Sequence, residues 1–255
     1  MARIFITGST DGLGRLAAER LIQLGHRVIL HARDQRRAEA VWDSARAEAI
    51  VTGDLASLDE TQELAAEVNA LGRCNAVIHN AGIYQDASRA ILRVNTLAPY
   101  LLTALIHPPR RLIYLSSDMH WQGRPVLEAV RAGRKISYSD SKLHDLLLAK
   151  AVARRRPTVY ANAVDPGWVP TKMGGPSASD DLRQGFETQA WLAVSGEAGA
   201  RVSGGYFYHG RAAEYLPAAD DVALQEDFLA ACEEATGVRL PGSAAGGAEA
   251  GSLRN

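Results

Sequence analysis

The chain has 255 residues and a formal net charge of −1, from 28 basic and 29 acidic side chains. With 47% hydrophobic and 22% charged residues it has the balance of a folded globular protein, and it lacks the basic excess of a nucleic-acid binder. Its two cysteines, Cys74 and Cys232, are too few for a disulfide framework or a four-cysteine zinc site.

Met1 leads straight into Arg3-Ile4-Phe5-Ile6, without the layout of a signal peptide. The longest apolar stretch, Val94 to Pro109, is broken by Asn95, Pro99, His107 and Pro108, so no membrane partner is expected and a cytoplasmic location is.

In chain order, short β-branched runs alternate with helical patterns. Arg3–Thr7 reads as the first buried strand. Leu13, Leu16, Ala17, Leu21 and Leu24 then fall at helical spacing, with Gly25 where a C-terminal cap belongs. Arg27–His31 and Ala47–Val51 are the next strands, followed by a helical face of Leu64, Ala65, Val68 and Leu71 before Gly72. Ala76–His79, Arg111–Leu115, Thr158–Val164 and finally Gly204–Tyr208 complete the set. Near-continuous apolar strands alternating with helices predict a doubly wound α/β domain: a mostly parallel sheet of roughly seven strands, covered by helices on both faces. That single domain is expected over residues 1–240. The stretch from Pro241 to Asn255, with four Gly, four Ala and two Ser, reads as a flexible tail.

The first strand runs into Thr7-Gly8-Ser9-Thr10-Asp11-Gly12-Leu13-Gly14, and a helix follows at once. Glycines there let the backbone turn tightly and let a pyrophosphate approach the helix N-terminus, where free N–H groups favour anions. The spacing is G-x-x-x-G-x-G, and a purely structural turn is the alternative reading of the loop taken alone. The second strand ends near the expected adenosine ribose. Arg33 stands there, suited to a ribose 2′-phosphate, and this favours NADP(H). A shift of one residue would put Asp34 at the ribose and favour NAD(H) instead. Arg36 and Arg37, a turn further on, are expected to face solvent.

Tyr138 and Lys142 stand four residues apart, on one face of any helix that contains them. An ammonium near a phenol favours the phenolate, so Lys142 is expected to lower the Tyr138 pKa towards the range of a working acid or base.

With these elements in place, the chain resembles the short-chain dehydrogenase/reductase family from Thr7 to about Gly237. The glycine loop looks like that family's T-G-x-x-x-G-x-G, and Asn80-Ala81-Gly82 resembles its N-A-G element. Asn95, Ser117, Tyr138 and Lys142 fall in the order of its catalytic tetrad, and Pro166-Gly167 with Thr171 resembles its P-G-x-x-x-T stretch. The resemblance implies a Rossmann-type fold and an NADP(H)-dependent oxidoreductase acting on a small carbonyl or alcohol substrate. Tyr138 would be the acid/base, Ser117 would hold the substrate oxygen, and Lys142 would bind the nicotinamide ribose. Asn95 would hold a water of the proton relay. Gly8, Ser9, Thr10, Gly12, Leu13, Gly14, Arg33, Asp54 and Leu55 would bind the cofactor, as would Asn80, Ala81, Gly82, Pro166, Gly167, Val169 and Thr171. Three alternatives stay open: Ser116 as the oxygen-binding serine, Asn95 as a backbone brace, and Asp54 as a helix N-cap.

The departures from the family pattern concern substrate and assembly. The long stretch between Ser117 and Tyr138 reads either as a substrate wall or as a solvated loop. The short connection between Asn80 and Asn95 trims the facing wall, and a shortened fourth helix puts the usual helix-packed homo-oligomer in doubt. Phe186, Trp191 and Leu192 are expected to anchor their loop on the core, and His144 to serve packing or surface. Tyr138-x-x-Ser141-Lys142-Leu143 and the insertion are similar to the retinol-dehydrogenase-like and antibiotic-ketoreductase branches, which implies a bulky apolar substrate. No G-x-S-x-G elbow and no H-E-x-x-H occurs, so neither a hydrolase nucleophile nor a metal site is expected. The rival class is a non-catalytic NADP(H) sensor of the same fold, disfavoured because all four tetrad positions are filled. A glycine-loop methyltransferase would leave Ser117, Tyr138 and Lys142 unexplained.

Overall fold

The computed structural model describes residues 1–85 and 89–242, with the backbone alone for residues 42–45. Among them, eight strands form one sheet: β1 (Arg3–Ile6), β2 (Arg27–Ala32), β3 (Ala49–Thr52), β4 (Ala76–His79), β5 (Arg111–Leu115), β6 (Tyr160–Asp165), β7 (Tyr206–Tyr208) and β8 (Arg211–Ala212). Their spatial order is β3-β2-β1-β4-β5-β6-β7-β8. All neighbours are parallel except β8, which folds back antiparallel on β7. This two-residue strand is the one beyond the roughly seven expected. Its hairpin turns on His209 and Gly210, both at positive φ (47° and 76°), a backbone that matches the twist of a tight hairpin. The tail expected from Pro241 lies, from residue 243 onward, outside the described residues.

Strand boundaries moved where local chemistry intervened. Thr7 leaves β1 to turn, and the sixth strand starts only at Tyr160 because Pro157 and Thr158 still belong to the turn after the preceding helix. Helices α1 (Gly12–Gln23), α2 (Gln35–Ala45) and α3 (Leu58–Ala70) follow the first three strands. Gly25 and Gly72, at φ 80° and 100°, take the left-handed positions that end α1 and α3. Strand residues then alternate between two cores. Phe5, Val77, Leu112 and Ala161 face one side, while Ile4, Ile78, Ile113 and Val164 face the other.

Between β4 and β5 the chain forms α4 (Ala90–Leu92), a π-turn over Arg93–Leu97, and α5 (Ala98–Leu105). After β5 comes the stretch between Ser117 and Tyr138. It is neither a free surface loop nor a wall of the cleft: a 3-10 turn (Asp118–Gln122) packs on α7 (Tyr138–Arg155), and α6 (Leu127–Arg131) packs on α9 (Val222–Thr236). His120, Val130 and Ile136 are its buried anchors. With β5 and β6 beneath it and α9 and this turn outside, α7 is buried on nearly every side. Phe186, Trp191 and Leu192 lie on α8 (Leu182–Val194). Leu192 is in the core, and Trp191 packs edge-on against Phe207, so both anchor rather than line a pocket.

Four histidines are at most 3% exposed: His31, His79, His120 and His144. Burial lowers the pKa of each, to about 3 for His79 and about 4 for His144. Their folded values lie below the unfolded value of about 6.5, so as pH falls through that value the unfolded chain binds protons that the native state refuses. Native stability should therefore fall from about pH 6.5 downward, by up to about 1.4 kcal/mol per pH unit for each ring. Thermal melts are expected to drop by roughly 5 °C or more between about pH 7.5 and about pH 5.5. A flat melting temperature over that interval would mean that the rings are not held neutral.

Candidate active site

The strand order reverses between β1 and β4, and a cleft of about 600 Å³ opens there at the C-terminal ends of the strands, where doubly wound sheets hold ligands. Gly8, Thr10, Gly12 and Leu13 form its floor. The turn is held from behind. Thr7 Oγ1 accepts the N–H groups of Asn80 and Ala81, each at 3.0 Å, and Asn80 Nδ2 donates to the carbonyls of Thr7 and Gly8 at 3.0 and 3.2 Å. A Cβ on Gly14 would stand 2.4 Å from Asn80 Nδ2 and 2.5 Å from Gly8 O, so only glycine lets the helix approach this closely. Ser9 is buried, donating to Ile6 O at 2.8 Å and accepting from His31 N–H at 2.9 Å. Ser9 and Gly14 thus shape the loop without lining the cleft.

His31, which the sequence reading did not single out, is wired into this loop. Its Nδ1 accepts Gly8 N–H at 2.9 Å, and its Nε2 lies 2.8 Å from Gly53 O. Because the Gly8 N–H is a donor, the ring is neutral with its proton on Nε2. It clamps the glycine turn to the end of β3.

At the end of the cleft beside β2 and β3, Arg33, Asp54 and Leu55 line it, and Arg37 lines it too while remaining exposed to solvent. The cause is Asp34. It is the N-cap of α2, with Oδ1 accepting Arg37 N–H at 2.9 Å. Its Oδ2 sits 3.7 and 3.6 Å from the Nε atoms of Arg33 and Arg37. The carboxylate is thus turned to its own helix, and two guanidiniums face the cleft. Asp54 Oδ1 accepts Ala56 N–H at 2.9 Å, while Ser57, not Asp54, caps α3.

Tyr138 is the first residue of α7. Ser137 and Asp140 form a reciprocal capping box around it, a stable helix start that fixes the tyrosine at the cleft. Lys142 lies one turn on, with Nζ 5.3 Å from the Tyr138 ring centroid. The lysine is buried, donating to Leu115 O at 2.5 Å and to Asp145 Oδ2 at 2.9 Å. The expected lowering of the phenol pKa is not the net result: burial pushes Tyr138 up more than the Lys142 charge pulls it down, and Asp145 and Asp165 add to the rise.

The other two tetrad positions do not line the cleft. Asn95, in the π-turn, is 1% exposed. Its amide accepts Ile83 N–H and donates to Ile83 O, both at 2.9 Å, and donates to Ser141 Oγ at 3.0 Å. It braces the facing wall on α7. Ser117 ends the β5 loop half-buried, donating to Asp118 Oδ1 at 3.0 Å and accepting from Met119 N–H at 3.2 Å. Ser116 does line the cleft, but its hydroxyl donates to Lys142 O at 2.8 Å. His144 is buried rather than at the surface, within 3.0 Å of Thr96 Oγ1 and 2.7 Å of Pro125 O.

Asn80, Ala81, Gly82, Pro166 and Thr171 also line the cleft, whereas Gly167 and Val169 do not. Three further groups were missed at the mouth. Lys172 pairs with Asp11 across the cleft, Met173 is exposed beside it, and Tyr84 stands edge-on to Tyr138 at 4.9 Å. Met173, with Ile83 and Val94, gives this half of the cleft its apolar lining. Among the described residues no cluster of His, Cys, Asp or Glu could hold a metal ion, and no helix is long and apolar enough to cross a membrane.

These residues fit a nicotinamide dinucleotide: a turn in which Gly8 and Gly12 take positive φ (62° and 54°) and Gly14 has no room for a Cβ, a helix N-terminus, paired arginines at one end and a buried lysine with a spare N–H at the other. Comparison with known proteins agrees. The short chain dehydrogenase family model matches residues 2–182. An uncharacterised oxidoreductase of Emericella nidulans is 42% identical, covering 95% of this chain and 100% of its own. A Streptomyces protein named as a daunorubicin C-13 ketoreductase is 31% identical over 92% of both chains. Mouse retinol dehydrogenase 14 is 29% identical, over 92% of this chain and 86% of its own. Among solved structures, an uncharacterised Mycobacterium paratuberculosis protein superimposes with a TM-score of 0.80 at 24% identity, covering 94% of this chain and 95% of its own. A Shigella flexneri short-chain dehydrogenase solved with NADP does so at 0.65 and 23%, covering 82% and 97%. The chain belongs to the short-chain dehydrogenase/reductase family of oxidoreductases.

Proposed function

We propose that the protein is an NADP(H)-dependent carbonyl reductase or alcohol dehydrogenase acting on a bulky, apolar ketone or secondary alcohol. The observation that carries this reading is the polarity of the cleft: Arg33 and Arg37 at one end, Tyr138 and buried Lys142 at the other. A nicotinamide dinucleotide held by the glycine turn, the two arginines and Lys142 would supply or accept the hydride. Tyr138 exchanges the proton with the substrate oxygen, Ser117 positions that oxygen, and Lys142 holds the ribose hydroxyls with its remaining N–H. Asn95 keeps the Ile83 wall against the catalytic helix. Asp54 and Asn80 line the adenine and central parts of the cleft, and Thr171 reaches the carboxamide. Tyr84, Ile83, Val94 and Met173 present the apolar surface that a bulky skeleton would cover. The names of the Streptomyces and mouse relatives support this substrate class. Residues 1–240 form the catalytic unit.

Fluorescence titration of the purified protein with NADPH and NADH tests the cofactor assignment. A charged hydrogen bond contributes about 1.5–3 kcal/mol, or roughly tenfold to a hundredfold in affinity. NADPH is expected to bind at least about tenfold tighter than NADH, and Arg33→Ala with Arg37→Ala should abolish the difference. Equal binding, or tighter NADH, would return the ribose contact to Asp34 and the reading to an NAD(H) enzyme.

A further inference from the structure

The Lys142 ammonium does not face Tyr138 alone. On its far side, one turn along α7, the Asp145 carboxylate accepts from it at 2.9 Å, and the two side chains are only 5% and 4% exposed. With Leu115 O taking a second N–H at 2.5 Å, two of the three ammonium donors are fixed within the protein and one is left for a ligand in the cleft. A charge buried this deeply is retained only when it is paired. A carboxylate on a catalytic lysine also has a cost for the usual chemistry, because it cancels the positive field that would stabilise a phenolate.

We propose that Asp145 is a positioning residue for the acid–base pair: it pins the Lys142 ammonium and offsets its charge, so that Tyr138 rests as a protonated phenol, poised to donate to a carbonyl oxygen. This deepens the proposed function and rests on Tyr138 and Lys142 being its acid–base pair. It assigns the site to the reductive direction.

The surroundings agree. Burial opposes the charged form of each group in the chain Tyr138, Lys142, Asp145. Asp145, with Tyr138 and Asp165, outweighs that effect at Lys142, which stays protonated; at Asp145 burial outweighs the pull of Lys142 and holds the carboxyl up at about 6, still ionised at neutral pH. At Tyr138 the only favourable charge is Lys142. Opposing it are Asp145 on the same helix, Asp165 at the end of β6 and Tyr84 from the facing wall. Tyr114 on β5 also faces Asp145, and Arg156 acts on that phenol. No second cation among the described groups acting on Tyr138 takes over what Asp145 removes from Lys142.

The test needs no substrate. Tyrosinate absorbance of the full-length protein is titrated with pH, and the same titration of Tyr138→Phe is subtracted to isolate Tyr138. The wild-type midpoint is expected above the free phenol value of about 10. In Asp145→Asn, which keeps an oxygen for Lys142 but removes the charge, the midpoint should fall by about one pH unit, a tenfold gain in phenolate at any pH below it. Asp145→Glu should keep the high midpoint. A midpoint in Asp145→Asn that is unchanged or raised overturns the proposal. If that variant does not fold, Asp145→Ser, which likewise removes the charge, is titrated in its place with the same expected fall, and in the wild type a midpoint below about 9 overturns the proposal, because it would show Lys142 dominating its partner. Failure of the broader reading is seen separately, as turnover that survives in Tyr138→Phe.

Discussion

Tyr138→Phe is expected to lower kcat by about a thousandfold, within the 10²–10⁴ range of a positioned acid or base, while leaving NADPH affinity nearly unchanged. The substitution removes one hydroxyl and little else. The ring keeps its edge-on contact with Tyr84 at 4.9 Å and its place beside the Lys142 ammonium at 5.3 Å. The start of α7 is secured by Ser137 and Asp140, not by the phenol, so the helix and the lysine it carries stay in register. Lys142 keeps both protein partners, Leu115 O and Asp145, and the glycine turn lies on other elements altogether. A loss confined to turnover would place Tyr138 in the proton-transfer step. The check is a steady-state assay on a ketone that the wild type reduces, run beside the fluorescence titration. Activity retained within tenfold would remove Tyr138 as the acid and with it the proposed mechanism. A parallel loss of NADPH binding would instead place the hydroxyl among the cofactor contacts.

What could be read from sequence follows from which signals are local. The strands were legible because apolar β-branched runs such as Ala76–His79 and Arg111–Leu115 need no knowledge of their neighbours, and both match the observed elements residue for residue. The glycine turn and the Tyr138–Lys142 pair were legible because each is a short spacing with one geometric meaning. The Arg33 and Asp34 ambiguity was not resolvable from spacing, yet it has a local cause. Asp34 caps α2, and an N-cap carboxylate is turned toward the first helical turn, which carries Arg37. Reading the cap first would have brought Arg37 to the cleft. The histidines are the opposite case. His31 meets Gly8 and Gly53, His120 meets Ser117 and Leu216, and His144 meets Thr96 and Pro125. Apart from the local His120–Ser117 bond, each of these contacts joins elements that only the folded sheet brings together. The insertion was ambiguous for the same reason: what covers α6 is α9, from the far end of the chain, and Val130 and Ile136 are buried only in the folded structure. Asp145 went unread because a carboxylate one turn from a lysine on a helix is ordinarily a solvated pair worth little. Burial on every side of α7 is what changes its meaning.

The second large effect is expected at the two serines that close β5, and it separates their roles. Ser117→Ala should lower kcat by about a hundredfold, the usual loss on removing one donor to a reacting oxygen, with a change in stability of about 1 kcal/mol or less. Its hydroxyl bonds only the exposed carboxylate of Asp118 and the N–H of Met119, partners that solvent can replace. Ser116→Ala should do the reverse. Ser116 is 2% exposed, and its hydroxyl ties β5 to Lys142 O on α7. Losing that buried bond costs about 1–3 kcal/mol of stability, with a smaller loss of kcat arising through looser placement of Lys142. The pair of variants is thus read on two axes, kcat and melting temperature, and the expected effects cross. Should Ser116→Ala abolish turnover while Ser117→Ala is silent, the oxygen-binding serine is the one already facing the cleft, and its bond to Lys142 O would have to open whenever substrate binds. The present geometry favours Ser117, because its hydroxyl can turn to a substrate without releasing the helix that carries Tyr138 and Lys142. His120 strengthens that assignment: with Nε2 accepting Leu216 N–H at 3.0 Å, its Nδ1–H donates to Ser117 O at 2.6 Å. The backbone of Ser117 is thereby held fixed while its side chain stays free to turn.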